Sequence, residues 1–223
     1  MNNVLVVAPH PDDETLGVGG TLLKHISRGD KLHWLIMTHP KDNDHFSQQF
    51  VEERDRQIEM VANSYPFATH HVLDFKAAML DSYDLSQLVG AVGKVISDIQ
   101  PNIVYIPFGG DIHSDHKITF DVLLSCTKRF RFPFIKEILS YETLSETDQS
   151  PASGALIFSP TVYVDITDFL QQKLEIFLKY KTEVADHPFP RSIENISALA
   201  TYRGGQVFVK NAEAFMLLRL VDC

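Results

Sequence analysis

A chain of 223 residues that is 44% hydrophobic and 22% charged can bury a sizeable core and is too apolar for a disordered tail. With 20 Lys and Arg against 29 Asp and Glu, its net charge of −9 disfavours nucleic acid or an anionic membrane as the main partner, because both are bound through basic patches. Only Cys126 and Cys223 are present, no basic-then-apolar leader opens the chain, and no apolar run approaches the roughly 18 residues of a membrane span, so one cytoplasmic domain over residues 1–223 is expected.

Residues 4–8 are a continuous Val-rich run, the pattern of a strand buried on both faces. Residues 15–28 carry Leu16, Leu22, Leu23 and Ile26 at helical spacing and stop at Gly29-Asp30; residues 32–38 read as a second buried strand. Strand, helix and strand in succession make a βαβ unit. The alternation continues with a helix at 47–64, a short strand at 71–75, a helix at 85–99, a strand at 103–107, a helix at 114–129 and a strand at 136–141. Beyond a polar loop at 143–153, the pattern predicts a strand at 156–164 and helices at 168–181 and 192–202; residues 214–221 fit a strand or a helix. The expected fold is α/β: a Rossmann-like, mostly parallel sheet with helices on both faces, plus a C-terminal extension of short strands and helices. Ligands in such sheets sit beyond the carboxyl ends of the strands.

The first strand runs straight into His10-Pro11-Asp12-Asp13-Glu14. Adjacent carboxylates repel one another unless something cationic lies among them. Pro11 stiffens the turn, and His10 and Asp13 can face one point. Taken alone, the stretch also matches an ordinary acidic first turn of a helix. Gly17, Gly19 and Gly20 let that helix approach a neighbouring backbone or ligand. The strand at 103–107 delivers a second cluster, His113-Ser114-Asp115-His116. Singly, these histidines are more often polar loop residues. Both clusters, however, follow buried strands of one inferred sheet. His10, Asp13 and one histidine of the second cluster then make two imidazoles and a carboxylate, the donor set of a catalytic zinc centre with a position open for water. Ferrous iron in oxygenases uses the same set; the extra carboxylate, Asp12, favours hydrolysis. A nucleotide-binding module is disfavoured because no G-x-G-x-x-G follows the first strand, and a scaffold role would leave a complete donor set unexplained.

With both motifs in hand, the chain resembles the PIG-L/LmbE-like zinc-dependent N-deacetylases, which remove acetyl groups from N-acetylglucosamine-type sugars and their conjugates. APHPDDE at residues 8–14 and HSDH at residues 113–116 carry the resemblance, in the family's order. Weaker matches are Arg56-Gln57-Ile58-Glu59, Tyr141-Glu142, Pro190-Arg191-Ser192, Arg203-Gly204 and Ala212-Glu213-Ala214-Phe215. The resemblance implies that His10, Asp13 and His116 hold Zn2+, with Fe2+ or another divalent ion as the alternative, and that Asp12 is the general base. It implies that a protonated His113 meets the acetyl carbonyl or the oxyanion, that Asp115 holds the His113 imidazole, and that Arg56 touches substrate or acetate. It further implies a small-molecule N-acetylated sugar or glycoconjugate as substrate, a place in polysaccharide or glycoconjugate synthesis, and a homo-oligomer, as in several members. A free sugar, a nucleotide sugar, a glycolipid and a thiol-conjugated sugar all present the same acetamide; the negative net charge disfavours a strongly anionic one.

Among the remaining candidates, His39 and His45 lie in the loop at 38–46 and read as lid residues. His187, in a Pro-rich stretch with Arg191, is balanced between a substrate contact and a turn. His25, His33, His70, His71, Trp34 and Cys126 read as structural, and the basic run at 128–131 as a solvated helix end.

Overall fold

The computed structural model describes residues 1–41, 43–151 and 156–222; Cys223 lies outside the described residues. Among them are β1 (Asn3–Ala8), β2 (Lys31–His39), β3 (Thr69–Lys76), β4 (Ile103–Pro107), β5 (Glu137–Tyr141), β6 (Val162–Asp165) and β7 (Ala212–Leu220). These form one sheet in the order β3-β2-β1-β4-β5-β7-β6. β1 to β5 are parallel, β7 runs antiparallel to β5, and β6 antiparallel to β7. The helices are α1 (Asp13–Ser27), α2 (Gln48–Ser64), α3 (Leu85–Ile99), α4 (Ser114–Ser125), α5 (Leu170–Phe177) and α6 (Ile193–Gln206). This is the α/β architecture expected, and among the described residues no helix is long and apolar enough to cross a membrane.

Successive β1 side chains point to opposite faces, and both faces are covered. Val4, Val6 and Ala8 enter a core with Leu22 of α1, Ile58 of α2 and Phe177 of α5, whereas Leu5 and Val7 enter one with Val92 of α3 and Val122 of α4. Burial on both sides is why β1 reads as an unbroken apolar run rather than an alternation. α3 holds its face with Leu88, Val92, Val95, Ile96 and Ile99, a single helical stripe. Each such side chain, fully buried, contributes about 1.5–3 kcal/mol.

The strand order turns back at β1. The chain winds outward through β2 and β3, then returns to place β4 on the other side of β1. α1 leaves β1 over one face, and α4 leaves β4 over the other. Their divergence opens a crevice at the carboxyl ends of these two strands.

Four expectations need correction. The helix predicted at 114–129 spans Ser114–Ser125, so the basic run at 128–131 lies beyond its end. Among the described residues, the strand predicted at 156–164 is confined to Val162–Asp165; Pro160 just before it has no N–H for a ladder. The helix predicted at 168–181 spans Leu170–Phe177. The glycines of α1 serve side-chain packing rather than a ligand: a Cβ on Gly17 would lie 2.2 Å from Cδ2 of Tyr141, and one on Gly20 would lie 2.7 Å from Cγ2 of Ile166. The stretch 214–221, ambiguous in sequence, is strand as far as Leu220, in β7, which pairs with the otherwise open edge of β5.

Candidate metal centre

β1 and β4 are neighbours at this reversal, and one histidine–carboxylate cluster follows each. Past the end of β1 the chain turns so sharply that Asp12 has φ 141°, a conformation that residues other than glycine rarely adopt. Such strain persists only where the surroundings over-determine it. Here the Asp12 carbonyl accepts the N–H groups of Thr15 and Leu16 at 3.0 and 2.9 Å. Its own N–H donates to Glu14 Oε2 at 3.1 Å, and Arg54 Nη1 grips the Pro11 carbonyl just before it at 2.8 Å. Past β4, His113 caps α4, its Nδ1 accepting the Asp115 N–H at 3.1 Å.

The two turns bring three donors together. His10 Nδ1 lies 3.4 Å from Asp13 Oδ2, and His116 Nε2 lies 3.3 Å from the same oxygen. All three donors fall within 4.8 Å of one another. Metal–ligand bonds of about 2.0–2.1 Å in a tetrahedral site give ligand–ligand edges of about 3.3–3.4 Å. His116 Nε2 is moreover buried without a hydrogen-bond partner, a costly state for a polar atom unless something binds there. These residues fit a divalent ion.

The other ring nitrogens are committed. His10 Nε2 meets Asp115 Oδ2 at 3.0 Å, and His116 Nδ1 meets Asp111 Oδ2 at 2.8 Å. Carboxylates in this position orient ligating imidazoles and raise their basicity. Asp115 is itself fixed by the N–H groups of Ala78 and Leu80 at 2.7 and 3.1 Å, and Asp111 by the Thr147 hydroxyl at 2.5 Å. His10, His113 and Asp115 form an overlapping donor group, but Asp115 Oδ2 already accepts from both His10 and Ala78, so the first group is the better site.

Charge in the cluster runs the same way. Burial pushes His10 down, yet its hydrogen bonds to Asp115 and Asp13 prevail and raise it to about 9. Burial likewise opposes protonation of His116, but Asp13 and Asp111 raise it well above the usual range. Asp13 is held well below the carboxylate range by His116 and His10, against its burial. Protons on the two imidazoles meet the same demand for positive charge that a divalent ion would meet. Asp12 is pushed well above its usual range by burial and then by the charge of Asp13, against Arg191 and Arg54. His113 is lowered to about 4 by burial and then by the His10 and His116 rings.

His10 and Asp13, with Asp12 and His113, line a cavity of about 240 Å³. Arg191 reaches in from the segment before α6, its Nη1 3.0 Å from Asp12 Oδ2 and its Nη2 3.2 Å from Glu183 Oε2. Arg54 pairs with the other oxygen of Glu183. Phe46 and Phe50 also line the cavity, their rings stacked with centroids 5.0 Å apart at 18°.

A family profile described as PIG-L: GlcNAc-PI de-N-acetylase matches residues 5–127, over half of the chain and both clusters. The chain belongs to this family. Among relatives of this PIG-L chain, a "Probable N-acetyl-alpha-D-glucosaminyl L-malate deacetylase 2" of Bacillus anthracis is 21% identical over 191 residues, 82% of either chain. A "1D-myo-inositol 2-acetamido-2-deoxy-alpha-D-glucopyranoside deacetylase" of Mycolicibacterium smegmatis is 30% identical over 141 residues, 51% of this chain and 49% of that one. The crystal structure of the conserved protein TT1542 from Thermus thermophilus superposes with a TM-score of 0.80 at 24% identity, covering 100% of this chain and 97% of that one. At that identity the likeness shows the fold.

In this PIG-L chain the structure brings His10, Asp12, Asp13, His113, Asp115 and His116 together. Two expectations differ. Asp115 holds His10 rather than the His113 imidazole, because His113 turns its Nδ1 back to cap α4. Arg56 lies outside the cavity: its side chain is 63% exposed, pairs with Glu53 at 3.6 Å, and donates from Nε to the Glu52 carbonyl at 3.2 Å. Arg54, two residues earlier and about 200° round the helix, takes the inward place. The signal was available, since Arg54, Ile58 and Val61 share one buried stripe. Sequence reasoning also left Glu14, Asp111 and Glu183 without roles. His39 is a structural clasp, its Nε2 2.8 Å from Asp55 Oδ1; Thr38, Pro40 and Phe46, rather than His39 or His45, line the cavity from the loop at 38–46, and His187 is exposed and does not line it.

Proposed function

We propose that the chain is a divalent-metal-dependent amidohydrolase that removes the acetyl group from the amide nitrogen of an N-acetylated amino sugar or its conjugate. Zinc is the ion that suits its two imidazoles and one carboxylate. The observation that carries this reading is the spacing of His10, Asp13 and His116 around the unpartnered His116 Nε2, with Asp12 on the same turn and a cavity in front. Family membership supports it, as do relatives named for deacetylating an N-acetylglucosaminyl malate and an acetamido-glucopyranoside. A reducing, cytoplasmic setting agrees with the free, buried Cys126.

When bound, the ion would supply Lewis acidity, lowering the pKa of water toward about 7 and polarising the amide carbonyl. Asp12 takes the proton of the attacking water and returns it to the leaving amine, a role worth about 10²–10⁴-fold. Arg191 holds the Asp12 carboxylate in place, and Glu183 holds Arg191. His113 uses Nδ1 as an acceptor, which leaves its proton on Nε2. It therefore serves the carbonyl oxygen as a neutral donor, in place of the imidazolium expected, where negative charge develops. Asp115 and Asp111 keep His10 and His116 aimed at one point. Water adds to the amide carbon, the C–N bond breaks, and acetate and a free amine leave.

The test is acetate release from N-acetylglucosamine and its glycosides by zinc-loaded, chelated and zinc-restored protein. One acetate per amine, loss on chelation and recovery with zinc are expected. Release that survives complete removal of metal overturns the metal requirement; no release from any N-acetyl sugar overturns the reaction.

A further inference from the structure

Resting on the deacetylase reading, we propose that Glu146 is a specificity-determining residue, whose carboxylate accepts a hydrogen bond from one free hydroxyl of the amino sugar while the acetamide lies at the metal centre. Four carboxylates line the cavity, those of Asp12, Asp13, Glu146 and Glu183. Three are matched. Asp12 and Glu183 share Arg191, Glu183 also pairs with Arg54, and Asp13 lies between His10 and His116. Glu146 has no ion-pair partner among the described residues. Its Oε1 meets only the hydroxyl of the adjacent Ser145, at 3.3 Å, which is long for a bond between two oxygens. The side chain is nevertheless half-buried. Burial raises its carboxyl, His116 lowers it and Asp13 raises it again; against its own burial, Arg191 is raised by Asp12, Glu183, Asp13 and Glu146 together. The residues of the metal centre and Arg191 all act on this carboxyl, which places it toward them.

The fold fixes this unmatched group firmly. Just before it, Ser145 is held at φ 75°, with its N–H donating to Asp148 Oδ1 at 2.6 Å, a strained conformation that persists only where its surroundings impose it. The Thr143 carbonyl accepts the N–H groups of Glu146 and Thr147 at 3.1 and 2.9 Å. The Thr147 hydroxyl accepts the Thr143 N–H at 2.8 Å and donates to Asp111 Oδ1 at 2.5 Å, and the Glu146 carbonyl accepts the Ile112 N–H at 3.2 Å. Through Asp111 and Ile112 the turn at 143–147 is tied to the loop that delivers His113 and His116, so the carboxylate keeps a set position relative to the metal centre. An ionised carboxyl only accepts hydrogen bonds, and a half-buried one without a donor is costly. An amino sugar brings hydroxyl donors beside its acetamide. A hydroxyl on a carboxylate makes a short, charge-assisted bond. It adds no charge to a lining whose four carboxylates are offset by Arg54, Arg191 and the divalent ion that the donor set fits.

Zinc-loaded protein is assayed for acetate release from N-acetylglucosamine and its 3-deoxy, 4-deoxy and 6-deoxy analogues, with Glu146→Ala and Glu146→Gln alongside the unaltered chain and zinc content measured in all three. In the unaltered chain one analogue should fall at least about tenfold below the parent sugar in kcat/KM, because its missing hydroxyl leaves the carboxylate unpaired. That gap should close toward one in Glu146→Ala and narrow in Glu146→Gln, which keeps an acceptor oxygen without the charge. Both variants should hold as much zinc as the unaltered chain. Analogues that all match the parent, or a gap that survives in Glu146→Ala, overturn the Glu146 assignment while acetate release upholds the reaction. Loss of zinc from both variants makes Glu146 a support of the metal centre and overturns the assignment as well. Acetate from none of the four sugars overturns both the assignment and the reaction.

Discussion

At the amino ends of the strands, His25 sits between Asp30 and the Tyr105 hydroxyl at 2.7 and 2.9 Å, and His33 between Thr69 and Asn3, each at 2.7 Å. At the carboxyl ends, His10 and His116 are just as surrounded by carboxylates, yet the buried His116 Nε2 faces Asp13 without a hydrogen bond and the neighbouring Asp12 keeps a strained backbone. Both ends bury histidine beside acid, so burial and an acidic neighbour do not by themselves mark a binding centre. The distinction lies in satisfaction. The amino-end cluster closes its hydrogen bonds upon itself, whereas the carboxyl-end cluster is complete only with a further atom. Strain follows the same division, because Glu14, Arg54 and the first turn of α1 are arranged to hold Asp12 where it would not otherwise rest.

The comparison breaks most readily at the ligands. His116→Ala should abolish stoichiometric zinc, measured by elemental analysis after dialysis, with the fold retained by circular dichroism. His25→Ala should keep its zinc and lose about 1–3 kcal/mol of stability in urea, because Asp30 and Tyr105 lose a buried partner. Equal zinc in both proteins would erase the distinction. Next in size is Asp12→Asn, expected to keep the ion while kcat falls about 10²–10⁴-fold; near-full turnover would remove Asp12 as the base. Smaller again, Asp111→Asn should weaken zinc binding about 10–100-fold in competition with a chelator, since it leaves the donors in place and loosens only the His116 ring. An unchanged affinity would mean that packing alone orients that ring.

How much of this was legible depends on how far each contact reaches along the chain. β1 and β4 are apolar runs that end in chemistry, and their clusters could be read as one site because a wound sheet places both at the same edge. The donor set and Asp12 were legible for that reason. Arg54 was accessible through periodicity and was missed by two positions, enough to choose the wrong face of α2. Glu183 and Arg191 come from an irregular segment between α5 and α6 that reaches Asp12, and no spacing rule links residue 12 to residue 191. The protonation of His113 follows from α4 starting one residue after it, at the predicted position 114, so that the imidazole caps the helix; the start was legible, but that the cap would be the imidazole Nδ1 was not drawn from it. The strand predicted at 156–164 failed at a proline whose missing N–H outweighs the apolar composition around it.

The smallest expected effect tests the closed end of the comparison. Burial, and then the nearby Lys31 and His71, lower His33 to about 4. In the neutral ring Nε2–H donates to Asn3 and Nδ1 accepts from Thr69, so a second ring proton gains nothing and carries an uncompensated charge into the interior. Because the folded pKa lies below the unfolded value of 6.5, the unfolded chain binds more protons between pH 6.5 and 4. Stability therefore falls as pH drops through that window and is insensitive to this group above it. His33→Gln removes the titration, so urea unfolding at pH 7 and pH 5 should show unaltered protein losing on the order of 1–2 kcal/mol more than the variant. Equal losses would mean that His33 protonates in the fold as easily as in the unfolded chain, and that the amino-end cluster is not closed in the sense that sets it apart from the metal centre.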